Sequence, residues 1–197
     1  MRKLLSFSAA ILILLASCSK EVLTTDSQSN QLKATNYYQC WKAGGGVSCT
    51  NGSGGNYQIK FSNCQDFVVG KGYSTGGTTM SWSGSCSGCK YFGVYGWCRS
   101  PLTEYYIGRG GGTSKGSYST SKGTYTLNTI ACNGANINGN GPFTQYNCSG
   151  SGSSGINVSE HFSGWSKLGK GTSSPAYCIV ASEAWGGASG SANVTVN

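Results

Sequence analysis

Two-residue alternation of large apolar and small or polar side chains recurs along most of this chain. In the segment 91–97, YFGVYGW, Tyr91, Tyr95 and Trp97 share one parity, and in 102–107, LTEYYI, Glu104 and Tyr106 share one face. Near the C-terminus YCIVASEAW puts Tyr177, Ile179, Ala181, Glu183 and Trp185 on a single face. A period of two is the signature of strands, because successive side chains point to opposite sides of a sheet. One stretch alone reads as a helix: Ser159 as N-cap, Glu160 in the first turn, Phe162, Trp165 and Leu168 as an apolar stripe, and Gly169 as the stop. Glu160 and His161 lie on that helix, where capping and packing are their expected roles.

The N-terminus breaks this pattern. Arg2 and Lys3 precede an apolar run too short to span a bilayer as a permanent helix, which reads as an export signal over 1–17. Leu15, Ala16, Ser17 and Cys18 have the form of a bacterial lipobox, predicting cleavage before Cys18, its acylation and attachment to the bacterial envelope, with simple secretion as the alternative. Residues 18–34 are polar and without aromatics, as expected of a flexible tether, so the folded domain is expected over 35–197. All 32 glycines fall after the tether. With abundant aromatics and little leucine, they favour many short strands joined by tight turns, an all-β sandwich.

Charge narrows the chemistry. From Thr35 onward there are ten cations and four carboxylates, Asp66, Glu104, Glu160 and Glu183. The lysines are scattered and only Arg99 and Arg109 are present in the domain, so with an export signal the net charge of +8 does not predict nucleic-acid binding. Any acid/base mechanism has few candidates, and two of them, Glu104 and Glu183, sit on aromatic strand faces. Sugar rings stack on aromatics while their hydroxyls need polar partners, so such faces suit a carbohydrate cleft. The same faces also fit an ordinary core with the two glutamates at strand ends. Ten cysteines in an exported chain imply disulfides, and lipidation of Cys18 leaves an odd number. The pair Cys86-x-x-Cys89 has no second CxxC and only His161 to join it, so neither a metal site nor a cofactor is expected.

NGSGGNY (51–57), FVVGKGY (67–73), YGWCRSPLTEYYI (95–107), GTYTL (123–127), FTQY (143–146) and the final ASEAW…SGSANVTV stand together in one order. In these motifs the domain resembles the family-11 glycoside hydrolases, the jelly-roll xylanases. The resemblance implies a jelly-roll β-sandwich of two curled antiparallel sheets with one short helix and a thumb hairpin over a cleft. It implies endo-acting hydrolysis of β-1,4-xylosidic bonds in xylan or xylo-oligosaccharides by a retaining double displacement, in a monomer. Glu104 would be the nucleophile and Glu183 the acid/base, with Asp66 beside the acid/base setting an acid-shifted optimum. Trp41, Tyr91, Tyr95, Trp97, Tyr106, Gln145 and Tyr177 match substrate-contacting positions, and Arg99 a basic motif residue.

The thumb departs from the family pattern. Ala131 falls at an arginine position, the tip reads Ala135 to Gly139 without its proline, and Asn147 replaces a tryptophan. Cys132 and Cys148 are expected to face each other across the thumb strands as a compensating disulfide, and Cys40 and Cys49 to flank the first hairpin in the same way. A xylan-binding lipoprotein without turnover and a β-1,4-glucanase on the same fold are the competing readings. Retention of both glutamates counts against the first, and the fit of the motifs against the second.

Overall fold

The computed structural model describes residues 35–76 and 78–197. The expected export signal and tether, and with them Cys18, lie outside these residues.

Twelve strands and one helix follow in the order β1 (Tyr37–Ala43), β2 (Val47–Asn51), β3 (Asn56–Tyr73), β4 (Thr79–Met80), β5 (Trp82–Ser87), β6 (Tyr91–Ser100), β7 (Leu102–Ile107), β8 (Thr113–Thr120), β9 (Gly123–Asn136), β10 (Gly139–Ser149), β11 (Ile156–Asn157), α1 (Val158–Lys167) and β12 (Ser173–Val196). The long ladder runs β1-β3-β12-β6-β7-β10-β9-β8, with β2 added on β3 and β5 on β12, and β4 pairs separately with β11. Every pairing is antiparallel except β7 with β10, which run parallel.

The two layers of the sandwich share β3 and β12, each long enough to serve both. The first half of β3 pairs with β2 and with the last residues of β12, while its second half pairs with β1 and with the first residues of β12. The bend between the halves is marked by Asn63 at φ 48°, by Gly186 and Gly187 at φ 65° and 81°, and by a register shift between Trp185 and Ala188. Glycine adopts positive φ without the steric penalty that a Cβ imposes. In the first half of β3, buried Tyr57, Ile59 and Phe61 alternate with exposed Gln58 and Lys60. From Phe67 to Tyr73 the alternation disappears, because both faces of this part are covered.

Those two faces bury separate clusters. Phe67, Val69, Val94, Tyr105, Ile107 and Val180 point into the main core together with Tyr57 and Ile59 of the other layer. Their strand neighbours Val68, Tyr91, Tyr95, Trp97, Tyr106, Tyr177, Ile179 and Ala181 form a second, largely aromatic cluster on the opposite face. Gly96, between Tyr95 and Trp97, leaves room for the Tyr105 hydroxyl to reach the Tyr177 carbonyl, at 3.2 Å.

The helix supports the strand that carries Glu104. Trp165 is fully buried and its ring lies 5.5 Å from that of Tyr105 and 5.3 Å from that of Tyr146. Its buried face is Val158, His161, Gly164 and Trp165, with Phe162 and Leu168 flanking it. Asn157 rather than Ser159 caps the helix, accepting from the Ser159 amide at 3.0 Å, and Gly169 follows the helix end at φ 67°. Tyr118 Oη sits between the Trp165 indole, which donates at 3.1 Å, and His161 Nδ1 at 2.7 Å. Burial pulls the His161 imidazole down to about 4, so at neutral pH the ring is uncharged and serves as a packed, hydrogen-bonded core group. Glu160 accepts from the amide and hydroxyl of Ser121, both at 2.8 Å, a structural role.

Disulfides join Cys40 to Cys49, the expected partners, and Cys86 to Cys89, which takes up the two thiols a zinc half-site would need; the expected first hairpin is not formed, because β1 and β2 pair with successive parts of β3 and not with each other. The expected Cys132–Cys148 bond is absent: both are free thiols. In the thumb register Cys132 faces Phe143 and Cys148 faces Leu127. Phe143 and Cys148 are therefore about 16 Å apart along β10, at ~3.3 Å per residue, whereas a disulfide needs Cα atoms within about 7 Å. Cys148 is buried in the main core, while Cys132 is half-exposed on the other face. A non-reduced digest is expected to yield Cys40–Cys49 and Cys86–Cys89 linkages, and alkylation of the native protein to label Cys132 ahead of Cys64, Cys98, Cys148 and Cys178. A Cys132–Cys148 cross-linked peptide would contradict this thumb register.

Candidate active site

The second cluster is the floor of an open cleft of about 720 Å³. Tyr37, Trp41, Tyr95, Trp97, Tyr106 and Tyr177 line it from the sheet, and Asn133 to Ile137, Asn140 and Phe143 from the hairpin of β9 and β10. The hairpin is held over the cleft at two points. Phe143 packs on Trp97 with ring centroids 5.0 Å apart, and Arg99 Nη1 donates to Asn138 Oδ1 at the tip, at 2.8 Å.

Glu104 and Glu183 both face this cleft and are only 8% and 7% exposed. Strand register does not set them side by side, since β6 pairs Trp97 with Glu104 of β7 and Tyr91 with Glu183 of β12; the long side chain of Tyr106, on the same face of β7 as Glu104, reaches both carboxyls. Glu104 Oε1 accepts from the hydroxyls of Tyr95 at 2.8 Å and Tyr106 at 3.1 Å, and Oε2 accepts from Gln145 Nε2 at 2.8 Å. Charge-assisted hydrogen bonds of this kind are each worth about 1.5–3 kcal/mol, so the buried Glu104 carboxylate is well supported. The Tyr95 hydroxyl in turn accepts from Trp97 Nε1 at 2.6 Å, which orients it toward Glu104.

Glu183 is poorly supported by comparison. Its Oε1 lies 3.2 Å from the Tyr106 hydroxyl, and its Oε2 is buried with no hydrogen-bond partner. Burial is the main cause that pushes the Glu183 carboxyl up to about 8; the nearby Arg109 opposes the rise, and the charges of Glu104 and Asp66 add to it. Tyr106 Oη thus touches both carboxyl groups but has a single proton. When both contacts are hydrogen bonds at once, Tyr106 donates to Glu104 and the protonated Glu183 donates to Tyr106. The geometry and the elevated Glu183 both fit that arrangement.

The remaining expected residues divide into three groups. Trp41, Tyr95, Trp97, Tyr106, Gln145, Tyr177 and Arg99 line the cleft, with Trp41 exposed on its wall and Tyr37 stacked on Tyr177 at 4.6 Å. Tyr91, expected among the substrate-contacting aromatics, is instead buried behind Tyr106, edge-on at 4.9 Å. Its hydroxyl is taken up by the carbonyls of Val94 at 2.6 Å and Ile107 at 3.0 Å, so Tyr91 is a support residue that does not line the cleft. Asp66 lines the cleft near Glu183, half-buried, with its carboxyl raised mainly by burial. Between Asp66 and Glu183 there is no direct hydrogen bond, and Asp66 Oδ1, like Glu183 Oε2, is buried without a partner.

Sequence reading also missed two features. Ala131 faces away from the cleft, beside Thr144 and Tyr146, while Cys132 shares the face of Gln145. Arg109 lies 3.8 Å from Glu183, with its guanidinium 4.2 Å over the Tyr106 ring. The signal was there, a lone arginine among glycines directly after the Glu104 strand, but strand parity does not extend into a glycine loop.

Residues 33–195 match the family model described as glycosyl hydrolases family 11. Endo-1,4-beta-xylanase 2 of Rhizopus oryzae is 38% identical across 82% of this chain and 82% of its own length. Endo-1,4-beta-xylanase B of Talaromyces purpureogenus is 34% identical across 98% and 97%. A solved endo-1,4-beta-xylanase structure from Trichoderma reesei superposes with a TM-score of 0.73 at 35% identity, covering 83% of this chain and 99% of that one.

Proposed function

The chain belongs to the glycosyl hydrolases of family 11, and on that premise we propose that it is an endo-1,4-β-xylanase acting by double displacement, with Glu104 as nucleophile and Glu183 as acid/base. The observation that carries this reading is the single Tyr106 hydroxyl in contact with both carboxyl groups, at 3.1 Å and 3.2 Å. The two Oε1 atoms can be no further apart than the sum of those contacts. That supports the ~5–5.5 Å carboxyl separation of retaining enzymes, and leaves little of the room that an inverting pair, at about 6.5–9.5 Å, keeps for water.

A xylan chain lies along the aromatic floor with the scissile bond between the two glutamates. Glu104 attacks the anomeric carbon while Glu183 gives its proton to the departing glycosidic oxygen, and an ester joins the sugar to Glu104. Glu183, now a carboxylate, takes a proton from water as the water oxygen attacks the anomeric carbon. The ester bond breaks and Glu104 leaves as a carboxylate. Release of reducing sugar from xylan is expected to exceed that from cellulose. Glu104→Ala is expected to lose at least about 10³-fold in kcat while keeping xylo-oligosaccharide affinity. Equal turnover by wild type and variant would refute the role of Glu104, no release from either polymer by the wild type would leave a binding protein, and preference for cellulose a glucanase.

Asp66 sets the pH range. With its own proton in place, Asp66 donates to Glu183 and stabilises the carboxylate that forms as Glu183 gives up its proton, which makes Glu183 the stronger acid. The structure does not contain this bond, and the two buried oxygens without a partner, Asp66 Oδ1 and Glu183 Oε2, are the groups that its formation would satisfy. Activity then falls when Asp66 ionises, well before Glu183 itself would, and the optimum lies on the acid side of neutrality. In Asp66→Asn an amide N–H donates at every pH, so the alkaline limb of kcat/KM is expected to move upward, toward the point where Glu183 loses its proton. An unmoved or lowered limb refutes this role.

Export to an oxidising compartment is supported by the two disulfides. Anchoring through acylated Cys18 lies outside the described residues; a Cys18→Ala precursor is expected to lose both incorporation of labelled fatty acid and recovery with membranes, and retention of either contradicts the anchor.

A further inference from the structure

We propose that Arg109 is a positioning residue for Glu183: a guanidinium supplied from the loop after the nucleophile strand, which holds the acid/base carboxylate during hydrolysis of the glycosyl-enzyme. The inference rests on the roles given above to Glu104 and Glu183. Three observations carry it. First, the guanidinium carbon lies 4.2 Å from the centroid of the Tyr106 ring and 5.4 Å from that of Trp185, so two aromatic faces hold a cation whose position is otherwise set by a flexible stem. Second, Arg109 Nη1 and Glu183 Oε2 lie 3.8 Å apart, and both are buried without a hydrogen-bond partner. That distance is an ion pair just short of a hydrogen bond, as suits a carboxyl that carries a charge in only one half of the cycle.

Third, the loop is tied to the nucleophile. Asn147 Nδ2 donates to the Gly111 carbonyl at 3.0 Å and to Gln145 Oε1 at 3.3 Å, and Gln145 Nε2 donates to Glu104 Oε2 at 2.8 Å. Asn147, which replaces a tryptophan of the family pattern, thus joins the Arg109 loop to Glu104. Gly108, at φ 91°, turns the chain out of β7 directly before Arg109.

The groups that act on Glu183 are Glu104 and Tyr106 from β7, Asp66 from β3, and Arg109. Tyr91 of β6 lies within reach of the Glu183 charge, and Lys90 lies beyond, 5.4 Å from the Trp185 ring. Two of these are carboxylates that disfavour a charge on Glu183, and Arg109 is the cation among them that favours it. After the first step the Glu104 charge is consumed in the ester, and Glu183 must be a carboxylate to take the proton of water. Arg109 then faces the charge it stabilises. Removing it raises Glu183, and Asp66 with it, since Arg109 also lowers the Asp66 carboxyl. Both effects move the alkaline limb upward.

The test uses protein labelled with carbon-13 at the glutamate carboxyls, of which the full chain has four, in wild type, Arg109→Gln and Arg109→Lys. In Arg109→Gln the NMR titration midpoint of Glu183 is expected to rise by about one pH unit, and in Arg109→Lys to stay within a few tenths of wild type. On an activated aryl xylobioside, where hydrolysis of the ester limits turnover, Arg109→Gln is expected to lower kcat about tenfold and to accumulate glycosylated protein by mass spectrometry, with the lysine variant restoring most of the rate. A Glu183 midpoint in Arg109→Gln that matches wild type overturns the proposal, whatever happens to activity. The midpoint is read without turnover, so a wild type inert on xylan would refute the hydrolase reading while this coupling is still decided.

Discussion

Two carboxyl groups that share one tyrosine hydroxyl in a largely desolvated cleft are the constraint around which this molecule is built. Like charges at that spacing cannot both be held cheaply away from water, so their surroundings must differ. Three side-chain donors converge on Glu104, whereas the one hydroxyl that reaches Glu183, that of Tyr106, already gives its single proton to Glu104. Burial without a donor of its own favours the protonated form of Glu183, the form from which a proton can be given. Asp66 and Arg109, of opposite sign, then act on the less supported member.

Holding such a site needs a rigid floor, and the strands provide it by using both faces. Tyr105 points into the main core against Trp165 while Glu104 and Tyr106, on either side of it, point into the cleft. The helix therefore stiffens the strand of Glu104 from the face opposite the cleft. Tyr91 extends the same support on the cleft side: with its hydroxyl on two backbone carbonyls, its ring packs edge-on against that of Tyr106.

The hairpin over the cleft achieves its order by means other than the family's. Its tip is tied down by Arg99 and Asn138, its shaft by Phe143 on Trp97, and its base by Asn147, whose amide serves both Gly111 and Gln145. No disulfide is involved, and the cation beside Glu183 comes from the loop after β7, which Asn147 links to Gln145.

Alternation along the chain was sufficient to identify the strand faces, because a period of two leaves little freedom once aromatics and small residues repeat. The scarcity of carboxylates then limited the acid/base candidates, and the ordered motifs suggested a role for each. The meeting of Glu104 and Glu183 in one cleft and the Cys40–Cys49 bond were legible in the sequence. Features that depend on register and on loops were not. Cys132 and Cys148 look like partners until the pairing of β9 with β10 separates them along the strand and by face. The helix begins at Asn157 because that side chain, two residues earlier than Ser159, reaches the free amide. Tyr91 has the parity of the cleft residues, yet parity does not say that its hydroxyl turns to the Val94 and Ile107 carbonyls and not into the cleft. Arg109 follows a strand in a run of glycines, whose φ angles no pattern of hydrophobicity predicts, and only the folded chain brings its guanidinium over Tyr106 and beside Glu183.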